Sequence, residues 1–253
     1  MSGPADSAGQ PWAGRSFEPN PNAADDGSAP SAFLDAHTAF RAGRIGIADV
    51  VDVVRTCRFL IPLVAVAGET GVGPDGQLVD KSQELSIITV EGPDGRAVLP
   101  VFSSTAAMAA WRADARPVPA DAVRVALAAA SENTDRVVID PRSETLTVLP
   151  RPAVWAIAQS VPWIPAVHDD AVVEAISAPA AAHPEIWAVS VVPGDPQATG
   201  TGPEVIVRMA YDPTADQQTV RHAIAAISAA WASDDVVTRR VDSISVQPIV
   251  APS

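Results

Sequence analysis

The feature that most constrains the fold is a break in the hydrophobic pattern at residues 161–165. The segment reads VPWIP, and its two prolines remove backbone donors, so no regular helix or strand continues through it. Regular patterns resume on both sides, and 253 residues are enough for two domains of ordinary size. We therefore predict a domain at residues 32–160, a linker at 161–168 and a smaller domain at 169–253.

The first 31 residues differ from the rest because they are rich in Gly, Pro, Ser, Asn and Asp. Such a composition predicts a disordered tail over residues 1–31. Within it, Trp12 and Phe17 flank Arg15, an arrangement that a purely solvated leader does not need. We predict that residues 11–27 form a docking segment, either on the protein's own surface or on a partner. The alternative is a solubilising leader with no binding role.

Hydrophobic spacing in residues 32–160 predicts a mixed sheet with helices. Helical spacing, caps and first-turn prolines predict helices at residues 46–57, after Ser104, from Pro119 and from Pro152. Apolar runs between turn residues predict strands at residues 59–67, 85–91, 97–102, 136–140 and 145–149. Pro62 places the first of these strands at a sheet edge or a bulge. The helix from Pro119 is expected to bury Val123, Leu127 and Ala130.

Residues 169–253 have a simpler pattern, of order α-β-β-α-β. A helix from Asp169 is expected to kink or end at Pro179, and two strands follow at 185–192 and 204–212. Asp212 and Pro213 are suited to cap and open a long helix, and residues 241–250 close the domain as a strand. The stripe expected on that long helix consists of Val220, Ile224, Ile227 and Trp231. Both domains together predict an α/β (α+β) protein with small sheets covered by helices.

Charge and composition exclude several classes of partner. The net charge is −13 at pH 7, which repels phosphate backbones and anionic lipid surfaces. We therefore expect no nucleic-acid and no membrane partner. The first residues lack a charged region followed by an apolar stretch, and no apolar run reaches bilayer length, so the cytoplasm is the expected compartment.

Amine and thiol chemistry each depend on a single residue. Lys81 is the only lysine and lies in a polar segment, whereas a Schiff-base enzyme needs a desolvated lysine. Cys57 is the only cysteine, so an internal disulfide is excluded. Arg55 and Arg58 could lower the pKa of its thiol, but the helical spacing directs Cys57 inward, and we predict a buried packing thiol.

Cofactor and metal motifs are weak. Residues 71–76 read GVGPDG, a G-x-G-x-x-G pattern, but Pro74 removes a backbone donor and no helical pattern follows. We therefore predict a loop and no nucleotide cofactor. His168 with Asp169 and Asp170 is the one cluster that suggests a metal, and a helix cap with a linker explains it better, so no metal is predicted.

One candidate small-ligand site lies where a predicted strand leads into a predicted helix. Ser103 and Ser104 precede that helix, and its free N–H groups with Arg116 could hold an anion. Helix capping alone also explains the two hydroxyl groups. Asp140 and Glu144 form a second candidate as paired carboxylates, although an aspartate before a proline between two strands is expected turn chemistry.

Several segments together resemble a known family. They are residues 12–21 (WAGRSFEPNP) with 25–27 (DDG), 59–63 (FLIPL), 99–104 (LPVFSS), 115–119 (ARPVP) and 138–142 (VIDPR). This combination resembles the SseB family in its actinobacterial form, most strongly before residue 160. The family is named for a serine-sensitivity phenotype, so the resemblance implies a fold and leaves the activity open.

These patterns favour a non-catalytic interaction or regulatory protein with an unknown protein partner. The alternative is a small anionic-metabolite-binding protein, or an enzyme of amino-acid or sulfur metabolism, that uses the region of Ser103, Ser104 and Arg116.

Overall fold

The computed structural model describes residues 25–67, 70–72, 78–80, 83–92 and 94–251. Helices alternate with parallel and antiparallel strands in these residues, which confirms the predicted α/β (α+β) class. The helices are α1 (Ser31–Arg41), α2 (Ile47–Val54), α3 (Thr105–Trp111), α4 (Ala122–Ser131), α5 (Arg151–Ala158), α6 (Asp170–Ser177), α7 (Gln217–Ser233) and α8 (Asp235–Arg240). The strands are β1 (Arg58–Ala67), β2 (Thr70–Val72), β3 (Leu78–Asp80), β4 (Gln83–Ile87), β5 (Val90–Glu91), β6 (Ala97–Val101), β7 (Arg116–Asp121), β8 (Arg136–Ile139), β9 (Thr147–Leu149), β10 (Ile186–Pro193), β11 (Val205–Tyr211) and β12 (Ile244–Val250).

Helices α1 and α2 pack on each other and on the first sheet. The Gly46 N–H donates to the Asp49 carboxylate at 2.8 Å where α2 begins. The valines of α2 that the helical spacing directs inward are buried, so this helix is confirmed. Phe33 of α1 meets Phe59 of β1 edge to face, with ring centroids 5.5 Å apart. This contact joins the helical layer to the sheet beneath it.

Strand β1 is the central strand of the sheet β4-β1-β7, so the prediction of an edge position from Pro62 is wrong. Pro62 lies opposite Pro117 of β7. On the β4 side of β1, Pro62 lies between Leu60, which forms a bridge with Phe102, and Leu63, where pairing with β4 begins. A central position is tolerated because the missing N–H lies where no ladder hydrogen bond is formed.

The predicted helix start at Pro119 is also wrong. Pro119 lies in β7, and the Asp121 carboxylate caps α4 by accepting a hydrogen bond from the Arg124 N–H at 2.8 Å. Consequently the predicted face is not the buried one, and Leu127 is 55% exposed. The buried face consists of Ala122, Val125, Ala126 and Ala129. Alanine occurs on both the buried and the exposed side of a helix. The prediction relied on the larger apolar residues, which indicated the wrong face of α4 as the buried one.

The second sheet has the order β5-β6-β8-β9 and confirms both predicted hairpins. The single strand predicted at residues 85–91 is wrong, because β4 ends at Ile87 and pairs with β1, and only β5 pairs with β6. Strands β6 and β8 are parallel, and α4 and α5 pack against this sheet. Pro152 lies in the first turn of α5, as predicted. A bridge between Leu60 and Phe102 connects this sheet to the first one.

The second half of the chain confirms the predicted α-β-β-α-β order, with α8 added before the last strand. Its sheet has the order β10-β11-β12, with β12 parallel to β11. Helix α6 ends at Ser177, just before the 3-10 turn that contains Pro179, as predicted. The Trp231 indole N–H donates to the Ile176 carbonyl at 2.9 Å and ties α7 to α6.

The predicted cap of the long helix is wrong by four residues. Asp216 accepts hydrogen bonds from the N–H groups of Gln218 and Thr219 at the start of α7. Asp212 instead accepts from the Thr214 N–H in a local turn. The predicted stripe on α7 is largely buried, with Ile224 at its margin.

Buried apolar residues form two main clusters, one in each half of the chain. Two residues after position 160, Trp163 and Ala198, belong to the first cluster. Ala198 lies in the β10–β11 loop, and its carbonyl accepts a hydrogen bond from the Val148 N–H of β9 at 2.8 Å. The second half therefore contacts the first core directly, and the division at residues 161–168 stays a prediction.

Candidate functional site

The predicted anion site is filled by the protein's own groups. The Ser104 hydroxyl accepts from the Ala107 N–H at 3.0 Å and caps α3, as the capping interpretation predicts. The next N–H of that turn, from Thr105, donates to the Gly27 carbonyl at 2.9 Å. Arg116 lies in β7 with its side chain exposed. Anion binding by Ser103, Ser104 and Arg116 stays a prediction, and it now requires the Gly27 contact to open.

Residues 25–28 hold the start of the described chain against this turn, and we call them the 25–28 clamp. The Arg58 guanidinium makes a two-pronged ion pair with Asp25 and donates to the Ser28 carbonyl at 2.9 Å. A further bond runs from Arg58 to the Ser103 carbonyl at 2.7 Å. The hydrogen bond with the Arg58 guanidinium lowers the pKa of Asp25 below its usual value. The clamp therefore fixes residues 25–28 on the folded core.

The candidate carboxylate pair separates in the structure. Asp140 is fully buried with φ +50°, and its carboxylate accepts from the Ser103 N–H at 2.7 Å and hydroxyl at 2.6 Å. The Thr145 hydroxyl donates a third bond at 2.7 Å. Glu144 is exposed. Asp140 is a structural acceptor that ties the β8–β9 turn to the start of α3, so it does more than the predicted turn chemistry.

Cys57 is a buried packing thiol, as predicted, and burial raises its pKa above the ordinary value. The metal alternative gains no support near His168, because Asp169 caps α6 through the Ala171 N–H at 3.0 Å and pairs with Arg240 at 2.9 Å. No group of three or more potential metal ligands occurs among the described residues.

The G-x-G-x-x-G segment begins in β2, which pairs antiparallel with β3. A dinucleotide fingerprint requires a helix after the glycines, and here a strand follows. Residues 73–77 lie outside the described residues, as does Lys81, and so do Trp12, Arg15 and Phe17 of the predicted docking segment.

An ion-pair cluster that the sequence did not predict joins the two halves. The Asp242 side chain, just before β12, is fully buried and accepts from Arg96 at 2.9 Å and from Arg136 at 2.8 Å. Asp94 binds the same two arginines, each at 2.8 Å. Arg136 is itself almost fully buried. We call Asp94, Arg96, Arg136 and Asp242 the inter-half cluster, and its two positive and two negative charges balance.

Glu204, just before β11, extends this cluster. Its Oε2 accepts a hydrogen bond from the Asp242 N–H at 2.5 Å. Oε1 is buried and makes no hydrogen bond of ordinary geometry among the described residues, although the Ala166 N–H lies near enough to favour the charged carboxyl. Burial raises the pKa of Glu204 to about 7, because the charged form loses its hydration. Near neutral pH this carboxyl therefore gains or loses a proton at the boundary between the halves.

A cavity of about 440 Å³ lies beside Glu204 and Asp242. Its wall comes from the end of α1, the start of α2, the end of β9, the segment after α5 and the β10–β11 loop. Apolar side chains on this wall include Phe40, Ile47, Val148, Trp163, Val167 and Ala198. Its ionisable side chains are Asp49, Arg136, His168, Asp195, Glu204 and Asp242. The volume is in the range of small-molecule sites, and residues from both halves of the chain line the cavity.

Only weak sequence signals marked these residues. Arg136 opens an otherwise apolar strand, and Glu204 and Asp242 come just before two others. A charged residue at a strand end is usually exposed, so nothing in the sequence distinguished these three from ordinary surface positions. Trp163 lies between two prolines, in the segment that the sequence predicts as a linker. Its side chain is nevertheless buried, at 9% exposure.

The fold and the cavity define a class: an α+β protein with a polar cluster between the two halves of its chain. The family model described as SseB protein N-terminal domain matches residues 32–156. The chain carries this SseB-family domain, which confirms the SseB resemblance drawn from the sequence, whereas the actinobacterial form stays a prediction. No curated protein and no solved structure matches the chain significantly. Within the part of the chain that the structure describes, no helix is long and apolar enough to cross a membrane.

Proposed function

We propose that this SseB-family protein is a non-catalytic interaction or regulatory protein, and that residues 11–27 are its docking segment for another protein. The observation that carries the proposal is the 25–28 clamp. It holds the last residues of the segment on the folded core through a salt bridge and several hydrogen bonds. A leader with no role beyond solubility has no need of a fixed attachment to the core.

The geometry of the clamp supports a specific attachment. Gly27 has φ +78°, a conformation that favours glycine, and a Cβ there would lie 2.7 Å from the Thr105 side chain. Gly27 thus suits both the backbone turn and the close approach to α3.

The energetics favour a segment that becomes ordered only on binding. Burial of Trp12 and Phe17 stabilises by roughly 1.5–3 kcal/mol each. Ordering the backbone costs about 1–2 kcal/mol per residue, and the prolines at positions 11, 19 and 21 reduce that cost by restricting the free chain. Over more than ten residues the ordering cost exceeds what the two aromatics supply, so a partner surface has to supply the remaining contacts.

Charge and compartment narrow the kind of partner. With a net charge of −13, the proposed partner is a protein and neither a nucleic acid nor an anionic membrane. The thiol of Cys57 is free and buried, which suits a reducing compartment, so we place the interaction in the cytoplasm.

The test compares two variants that keep the clamp intact. One lacks residues 1–24, and the other carries Trp12→Ala with Phe17→Ala. Docking predicts that both variants lose the same partner from native lysate, while their melting temperatures stay within about 2 °C of the parent.

The matched control is Leu127→Ala with Trp187→Ala, two side chains that are 55% and 53% exposed on the folded core. This control removes comparable apolar surface and should retain the partner. Equal recovery from the parent and from both tail variants would contradict the proposal and leave a solubilising leader.

A further inference from the structure

We propose that the cavity between the two halves binds a small, mainly apolar molecule that carries an ammonium group. The site is independent of the docking segment and of the predicted anion site at Ser103. Its evidence is the shape, the charge and the unpartnered polar atoms of the cavity wall.

The wall is mainly apolar and largely built from rigid residues. Prolines contribute at four positions, and Phe40, Trp163 and Ala198 add buried surface from the first core. A pocket of this kind binds the apolar body of a ligand by excluding water. The wall prolines are Pro150, Pro165, Pro193 and Pro196.

The charge of the wall favours a cation over an anion. Four carboxylates line the cavity against one guanidinium, that of Arg136. Asp242 and Arg136 belong to the balanced inter-half cluster, so the excess negative charge comes from the other three carboxylates, Asp49, Asp195 and Glu204. The Arg136 guanidinium is already compensated by Asp94 and Asp242. An anionic ligand would therefore meet net negative charge and find no free arginine on this wall.

Two polar atoms of wall residues make no hydrogen bond of ordinary geometry among the described residues. Glu204 Oε1 is a buried acceptor, and the Trp163 indole N–H is a buried donor in a side chain that is 9% exposed. Buried polar groups in native proteins nearly always have a partner, and an unpaired one marks a place where a missing group is expected. A ligand ammonium group would supply a donor of ordinary geometry to Glu204 Oε1, and a hydroxyl or carbonyl oxygen would accept from Trp163.

The probe pair consists of two molecules with the same phenolic body. Tyramine carries an ammonium group, and 3-(4-hydroxyphenyl)propionate carries a carboxylate in its place. We expect calorimetry on the full chain at pH 8 to show tyramine binding at least about tenfold more tightly than the carboxylate. Binding of the carboxylate as tightly as tyramine would overturn the proposed class.

Variants locate the site. Glu204→Gln keeps the shape and removes the charge, so it should weaken tyramine binding about tenfold, whereas Glu144→Gln, at an exposed position, should not. Ala48→Leu fills the cavity at the first turn of α2 and should abolish binding, while Ala130→Leu on exposed α4 surface should retain it. Unchanged binding by both Glu204→Gln and Ala48→Leu would overturn the assignment to this cavity.

Amide exchange distinguishes the ligand from the chain's own N-terminal segment. Tyramine should protect the amides of the β10–β11 loop and of the start of α2. The contrary result has three parts: those amides are protected without ligand, they lose protection when residues 1–24 are removed, and they respond to neither probe. In that case the N-terminal segment fills the cavity, and the proposal fails.

Discussion

Replacement of Asp242 by alanine tests the inter-half cluster, because this carboxylate is fully buried and bonds two arginines. Its loss leaves the Arg136 guanidinium, 6% exposed, with Asp94 as its remaining acidic partner. Breaking a buried ion pair by removing one partner costs about 3–5 kcal/mol. Since Arg136 retains Asp94 and Arg96 is partly exposed, we expect the lower end, about 3 kcal/mol of unfolding free energy.

Asp94 provides the matched control, since it bonds the same two arginines but is 35% exposed. Asp94→Ala should therefore cost about 1 kcal/mol or less. The assay is urea unfolding at pH 7.5, followed by both far-ultraviolet circular dichroism and tryptophan fluorescence. The double variant Arg136→Met with Asp242→Leu removes the buried charges together and should recover about half of the loss. Equal effects of the two single alanine variants would refute the argument that burial of Asp242 makes this cluster stabilising.

Three further outcomes are expected. Burial raises the pKa of Glu204 from 4.5 to about 7, so its contribution is fully present below pH 4.5 and is lost as the pH rises through 7. The unfolding free energy should accordingly fall by up to about 3 kcal/mol over that pH range, as measured by urea titrations at a series of pH values. Glu204→Gln should remove this pH dependence, whereas the control Glu144→Gln should keep it. Gly27→Ala should speed amide exchange at Thr105, because the new Cβ would meet its side chain at 2.7 Å, while Gly43→Ala, with φ +66° and no atom within 4 Å, should not. A fragment of residues 1–168 should fold and melt at a higher urea concentration than one of residues 1–160, because Trp163 packs in the first core.

The sequence predicted most elements because their patterns are local. The hairpin around residues 92–96 and the cap at Ser104 depend on neighbouring residues, and both are confirmed. Prolines were the main source of error. The local signal of a proline is the same at a helix start, in an edge strand and at an unused donor position of a central strand. Pro62 lies in the central strand β1 and Pro119 in the edge strand β7, and only the pairing partners distinguish these cases.

The cavity could not be predicted in the same way. It depends on which strand ends meet across the two halves, and Arg136, Glu204 and Asp242 come from distant parts of the chain. Each has the sequence context of an ordinary surface charge. These three residues are buried because the second half of the chain packs on the first. No local sequence pattern predicts that packing. Of the predicted site residues, Ser104 is confirmed as a cap, because capping is a local property, whereas Ser103 bonds the distant Asp140.

The proposed interaction is tested most directly by amide exchange on the full chain with and without the partner recovered from native lysate. The account predicts that residues 11–24 gain protection when the partner is added, and that Trp12→Ala with Phe17→Ala abolishes both this protection and partner binding. The 25–28 clamp should stay protected throughout, as judged by the Thr105 amide that donates to Gly27. A partner that binds the double variant as tightly as the parent, with residues 11–24 unprotected in both complexes, would contradict the account.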